Sequence, residues 1–107
     1  MLGLRRGTTP YIVFTVKDDV YIDYSAIKTV WITITQNGTI VLDKVTDDVN
    51  INNNNICLPL TQEDTLALQA GVSGNIQLRL LNDTDIAYAS QQEFLSVDEI
   101  SKDGVIV

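Results

Sequence analysis

The residue types best suited to chemistry here are carboxylates: 14 Asp and Glu stand against 7 Lys and Arg in 107 residues, a net charge of −7. Three clusters could offer oxygen donors to calcium: Asp18, Asp19 and Asp23; Asp47 and Asp48 with Asn50 and Asn52; Asp83 and Asp85. None follows the EF-hand spacing with its glycine and closing glutamate, and acidic turn residues are ordinary. Asp18, Asp19 and Asp23 as an acid/base pair would need a concave cleft, for which so small a chain has little room. Glu63 and Asp64 follow Thr61 and are better explained as the acidic first turn of a capped helix. The chain has no His, so neither a Cys–His nor a Ser–His–Asp nucleophile can be assembled. His-ligated zinc is excluded, and the single Cys57 makes neither an intrachain disulfide nor a thiolate metal site. In the apolar run Ile56-Cys57-Leu58 it reads as a small packed hydrophobe. No catalytic group, cofactor or metal is expected.

Recognition chemistry is better represented. Trp31 alternates with Val30 and Ile32, so it belongs to the opposite face of its strand. With Tyr24 and Tyr11 nearby it could stack on a sugar or anchor a partner protein. The opposing reading makes Trp31 a core ring covered by the second sheet or by residues 21–24. That reading is favoured because a central strand of a sandwich buries at least one such ring. Arg79, between Leu78 and Leu80, reads as a surface charge within reach of Glu93 or Asp43. Val105, Ile106 and Val107 end a polar stretch with three β-branched apolar residues. They form either a last edge strand or frayed tail, or a docking segment for a neighbour.

The elements that must position these residues are almost all of period two. Residues 11–16 alternate, with Ile12, Phe14 and Val16 inward. Residues 27–36 form the strongest strand, with Val30, Ile32 and Ile34 on one face, and residues 39–45 follow directly. Ile56, Leu58 and Leu60 point inward, and Pro59, lacking a donor, places that strand at an edge or bulge. Residues 76–80 alternate cleanly. Residues 86–97 form a last long strand with an irregularity around Gln91-Gln92-Glu93. At Gln36-Asn37-Gly38 a two-residue loop would set Asp43 opposite Ile32. A three-residue loop with a left-handed Gly38 pairs Ile34 with Ile40 and Ile32 with Leu42, which keeps one face apolar and turns Asp43 outward beside Trp31. The bulged turn is therefore expected. Thr61 caps a short helix near 61–68 that crosses between sheets. Asn82–Asp85 is a hairpin loop, and the Asn52–Asn55 run is a solvated turn.

These elements make an all-β, immunoglobulin-like sandwich of about seven strands. Its inner faces hold Phe14, Val30, Ile32, Ile34, Ile40, Leu42, Leu58, Leu78 and Leu80. Residues 1–107 form a single domain, with 1–9 as an N-terminal arm and 98–107 as a tail or edge strand. Hydrophobic residues at 45% supply a two-layer core and exclude wholesale disorder. No apolar run approaches the roughly 20 residues of a membrane span, and no signal peptide is expected. The acidic balance, with a pI near 4.2, argues against nucleic acid and anionic membranes as partners. It is read as solubility rather than steering toward a basic partner. Cysteine usage fits a protein made and kept inside a cell.

Several stretches occur in an order shared with a known group of proteins. They are Arg6-Gly7-Thr8-Thr9-Pro10, Gln36-Asn37-Gly38, Leu60-Thr61-Gln62-Glu63-Asp64-Thr65-Leu66, Ile76-Gln77-Leu78-Arg79-Leu80 and Ala87-Tyr88-Ala89-Ser90. In these the chain resembles the small prophage structural proteins of tail gene clusters in Gram-positive gut bacteria. More distantly it resembles the N-terminal immunoglobulin-like domain of phage baseplate upper proteins. The likeness covers nearly the whole chain through turns and strand patterns. It departs at residues 17–25, which are longer and more aromatic here. The resemblance implies a non-enzymatic virion component of the tail or baseplate, made in the bacterial cytoplasm. The implied partners are other tail or baseplate proteins, or further copies of this chain. No catalytic motif carries over. A small carbohydrate-binding sandwich is the alternative, with Trp31, Tyr11, Tyr21, Tyr24 and Tyr88 as stacking rings.

Overall fold

The computed structural model describes residues 2–15, 23–52, 55–90 and 92–107. Among them nine strands form two sheets. The strands are β1 (Leu2–Arg5), β2 (Tyr11–Phe14), β3 (Ile27–Gln36), β4 (Thr39–Val45), β5 (Asn50–Ile51), β6 (Ile56–Pro59), β7 (Gly74–Asn82), β8 (Ala87–Ala89) and β9 (Glu93–Asp98). The larger sheet runs β1-β9-β7-β3-β4, with β8 also on β7; the smaller runs β2-β6-β5. All pairings are antiparallel except β1 with β9. Strands two, five and six thus make one sheet, and three, four, seven and the last make the other. This is the strand distribution of an immunoglobulin-like sandwich. The short helix α1 (Gln62–Leu66) carries the chain from one sheet to the other, as the sequence indicates.

Alternation decides what the sheets bury. Val30, Ile32 and Ile34 of β3 meet Leu78, Leu80 and Ile76 of β7 across the ladder, and all are buried with Ile12, Ile56, Leu58, Leu95 and Val97. Phe14 is half-buried against this core. Val16 lies outside the described residues. Antibody domains pin their sheets with a disulfide and a buried Trp on the third strand. This chain has one Cys, and its interior is aliphatic.

Several expectations are corrected. The turn at Asn37-Gly38 is a two-residue loop, with both residues at positive φ (53° and 73°), the geometry of a hairpin turn that matches strand twist. Gln36 pairs with Thr39 and Thr35 with Ile40, and the register then slips, so that Ile34 faces Leu42 and Thr33 faces Asp43. The bulge sits in the strand at Val41 rather than in the turn. It keeps Asp43 outward, as expected, but turns Ile40 outward too, 60% exposed. Pro59 does not mark an edge strand, because β6 is central in its sheet. It ends β6 where β5, paired only to Ile56 and Cys57, has already stopped. The N-terminal arm is in part a strand, β1, whose Leu4 is buried. The C-terminal segment after Asp98 is irregular rather than a strand. The irregularity in the last strand is present: β8 pairs with residues 79–81 and β9 with 74–76. Between them the Ser90 hydroxyl accepts from Leu78 N–H at 2.9 Å, standing in for a ladder partner.

Polar side chains tie the loops to this frame. Gln36, inward on β3 and 4% exposed, accepts from Gln69 N–H at 2.8 Å and donates to the Gln69 and Val72 carbonyls at 2.9 and 3.0 Å. Its amide is therefore fully used inside the core, where an unpaired one would be costly. Opposite Gln36, β7 begins at buried Gly74, where a Cβ would lie 2.2 Å from the Thr35 carbonyl oxygen. Backbone cannot yield that distance cheaply. Gly74→Ala is expected to lower stability by about 1–3 kcal/mol, read as a lower urea midpoint with an unchanged slope.

Candidate protein-interaction surfaces

Trp31 faces out. The inner face of β3 is fully occupied by Val30, Ile32 and Ile34, so the ring has no place in the core and is 49% exposed. Burial of the ring under the second sheet is overturned by this parity; of the other covering residues considered, 21 and 22 lie outside the described residues. By register, Val45 of β4 and Arg79 of β7 flank Trp31, and Ala89 of β8 lies beyond Arg79. The Arg79 guanidinium carbon sits 5.3 Å from the Trp31 ring centroid, a cation–π contact. Beside it is a shallow concavity of about 150 Å³ lined by Thr29, Trp31, Arg79, Leu80, Leu81 and Ala87. Further along the same face come Thr33 and Gln77, then Ile40, Thr35, Asn75 and Phe94. Phe94 is 70% exposed. The outer face of the larger sheet thus carries an aromatic–cation pair with exposed apolar side chains at two levels. Tyr24, in a 3-10 turn before β3, packs against the core instead and does not extend this face.

Val105, Ile106 and Val107 are exposed, yet their segment is held. The Ile106 N–H donates to Gln62 Oε1 at 2.7 Å, and Gln62 Nε2 donates to the Ile106 carbonyl at 3.2 Å. Arg6 anchors the preceding residues. Its guanidinium donates to Glu99 Oε1 at 2.6 Å, to Asp103 Oδ1 at 2.8 Å, and to the Leu66 and Leu68 carbonyls at 3.0 Å. One side chain therefore closes the end of α1 and holds the C-terminal segment across it. The two carboxylates raise the Arg6 pKa above its ordinary value. The Arg6 hydrogen bond and the Ile100 N–H hold Glu99 below its own. Nothing local marks Arg6 or Gln62 for these roles, because their partners lie dozens of residues away.

Three of the carboxylates considered for chemistry, Asp64, Asp23 and Asp48, have structural work. Thr61 Oγ1 accepts from Asp64 N–H at 3.1 Å, and Asp64 Oδ2 accepts from Thr61 N–H at 2.9 Å, a reciprocal cap. Asp64 Oδ1 also meets Lys44 Nζ at 2.9 Å, joining α1 to the edge of the larger sheet. Asp23 accepts from the Ser25 N–H and hydroxyl, and Asp48 from the Val45 N–H. Asp18 and Asp19 lie outside the described residues. Cys57 is buried with its Sγ among the Asn52 and Asn55 side chains.

No protein-family model matches the chain, and no curated protein matches it. Among solved structures it is similar to the V domain of amphioxus IgVJ-C2, at 15% identity and a TM-score of 0.33, covering 91% of this chain and 99% of that one. The immunoglobulin-like class is defined by the strand order and pairing already described.

Asp64 makes a definite pH dependence. Burial alone would raise its pKa, but the Thr61 N–H and the Lys44 ammonium outweigh it and hold the carboxyl below its ordinary value. As pH falls, the unfolded chain takes up this proton before the folded one does. The contribution is complete above the ordinary carboxylate value and is lost through the lower folded one. Melting temperature should therefore fall as pH drops below about 4. Asp64→Asn should flatten that fall and cost about 1 kcal/mol at neutral pH, as read by thermal melts across pH.

Proposed function

We propose that this chain is a non-enzymatic assembly module of a phage or prophage tail or baseplate, acting through protein–protein contacts. The observation that carries it is the Trp31–Arg79 pair on the outer face of the larger sheet, with Val45 beside it and Ile40 and Phe94 exposed on the same face. Aromatic and arginine side chains are enriched at binding hot spots. The resemblance of the ordered turn and strand motifs to those of prophage tail proteins is what suggests the tail or baseplate setting. The carbohydrate reading draws on the same exposed ring, but the Arg79 guanidinium already lies over one ring face, which leaves a sugar less stacking surface.

The test is whether the neighbouring genes encode tail or baseplate proteins and whether this chain binds them, together with mass spectrometry of purified tails. The chain should be present in tails. Trp31→Ala should weaken its partner about tenfold or more with an unchanged melting temperature. Micromolar glycan binding lost in the same variant, with no tail partner, would establish the carbohydrate reading instead.

A further inference from the structure

The smaller sheet ends in an open apolar edge. The Leu60 N–H donates to the Pro10 carbonyl at 3.0 Å, and Ile12 and Phe14 lie opposite Leu58 and Ile56. The even-numbered residues of β2 therefore direct their backbone groups at β6, and the alternation of an antiparallel ladder directs those of Tyr11 and Val13 away from it. No described strand pairs with that side. The Tyr11 and Val13 side chains are also exposed. An edge of this kind is a template for strand addition.

The other half of such a contact is present in the same chain. The Ile106 N–H and carbonyl both bond to the one side-chain amide of Gln62, as an extended residue bonds to a partner strand. Gln62 thus fills the place of a strand on one side of the segment. Once the segment is extended, strand alternation directs the backbone groups of Val105 and Val107 to the other side. The side chains are β-branched, suited to a strand and exposed, with Ile106 at 80%. Arg6 and Gln62 hold this segment to α1, and among the described residues neither the edge nor the segment has a strand partner.

We propose that Val105–Val107 of one copy adds as a strand to the Tyr11–Phe14 edge of a second copy. This deepens the assembly-module reading and rests on it for its biological setting. Both partners of the contact are carried by one sequence, and their chemistry matches: apolar β-formers on each side, with the outward backbone groups of Tyr11 and Val13 facing those of Val105 and Val107. The contact joins different surfaces, so it propagates from copy to copy unless two copies exchange segments reciprocally.

Sedimentation velocity on the full chain, from about 10 µM to about 1 mM, reads the proposal. Concentration-dependent self-association is expected. Val13→Pro removes an outward N–H and spares the bonds to β6; Val105→Pro does the same in the segment and touches no core residue. Each should weaken association about tenfold or more. A monomer at every concentration overturns the proposal, as does association unchanged in Val105→Pro; if Val13→Pro fails to fold, Val105→Pro decides alone. Association lost in Trp31→Ala but retained in both proline variants also overturns it, while leaving the assembly reading intact through the sheet face. Association lost in the proline variants, with no chain found in tails, upholds the strand contact and removes the tail setting.

Discussion

The strict alternation of β3 is the constraint on which the rest depends. It is hydrogen-bonded on both sides through most of its length, to β4 and β7. Its Val30, Ile32 and Ile34 are completely buried. A slip of one residue would drive all three into solvent and Trp31 and Thr33 into the core. The hairpin at Asn37-Gly38, the bulge at Val41 and the amide of Gln36 all serve that register. The outward Trp31 is its by-product: a large ring left on the surface because the interior is complete without it.

This interior departs from the antibody pattern in a physically coherent way. With one Cys, no disulfide can pin the sheets, and the strand that would carry a buried Trp carries aliphatic residues inward instead. Side chains at the sheet ends tie the connecting segments to this frame. Gln36 grips the loop before β7, Thr65 bonds to the Thr8 carbonyl at 2.8 Å, and Lys44 reaches Asp64 of the connecting helix. Each is a polar contact satisfied at the margin of an apolar core, where its desolvation cost is offset by hydrogen bonds.

Much of this was legible in the sequence, and what was not has separate physical causes. The strands 27–36 and 39–45 and the capped turn at Thr61 emerge from local alternation and turn chemistry, because those signals are local. The position of Ile40 does not: moving a bulge from turn to strand satisfies the same inner face, and only the strand-twist preference of Asn37-Gly38 discriminates. A general expectation about sandwich cores puts Trp31 inside, whereas its parity with Val30 and Ile32 points outward. Strand β1, the Arg6 clasp and the Gln62 bond to Ile106 depend on partners far along the chain. The two leucines of β1 alternate, but four residues are too few to stand out. Of the candidate surface, Trp31 and the exposed C-terminal residues could be named from sequence. The pairing of Trp31 with Arg79 needed the register.

The parallel pairing of β1 with β9 has a mechanical consequence. Leu2 lies beside Leu95 and Arg5 beside Asp98, so the start of one strand and the finish of the other lie at opposite ends of the shared ladder. Tension applied through the segments before Leu2 and after Asp98 slides these strands past one another. Its evenly spaced, slanted hydrogen bonds are then loaded together in shear rather than opened one at a time. On the C-terminal side the Gln62 bonds to Ile106, and then the Arg6 contacts to Asp103 and Glu99, take load before the ladder does. A domain wired in this way transmits force along its length while its core stays closed.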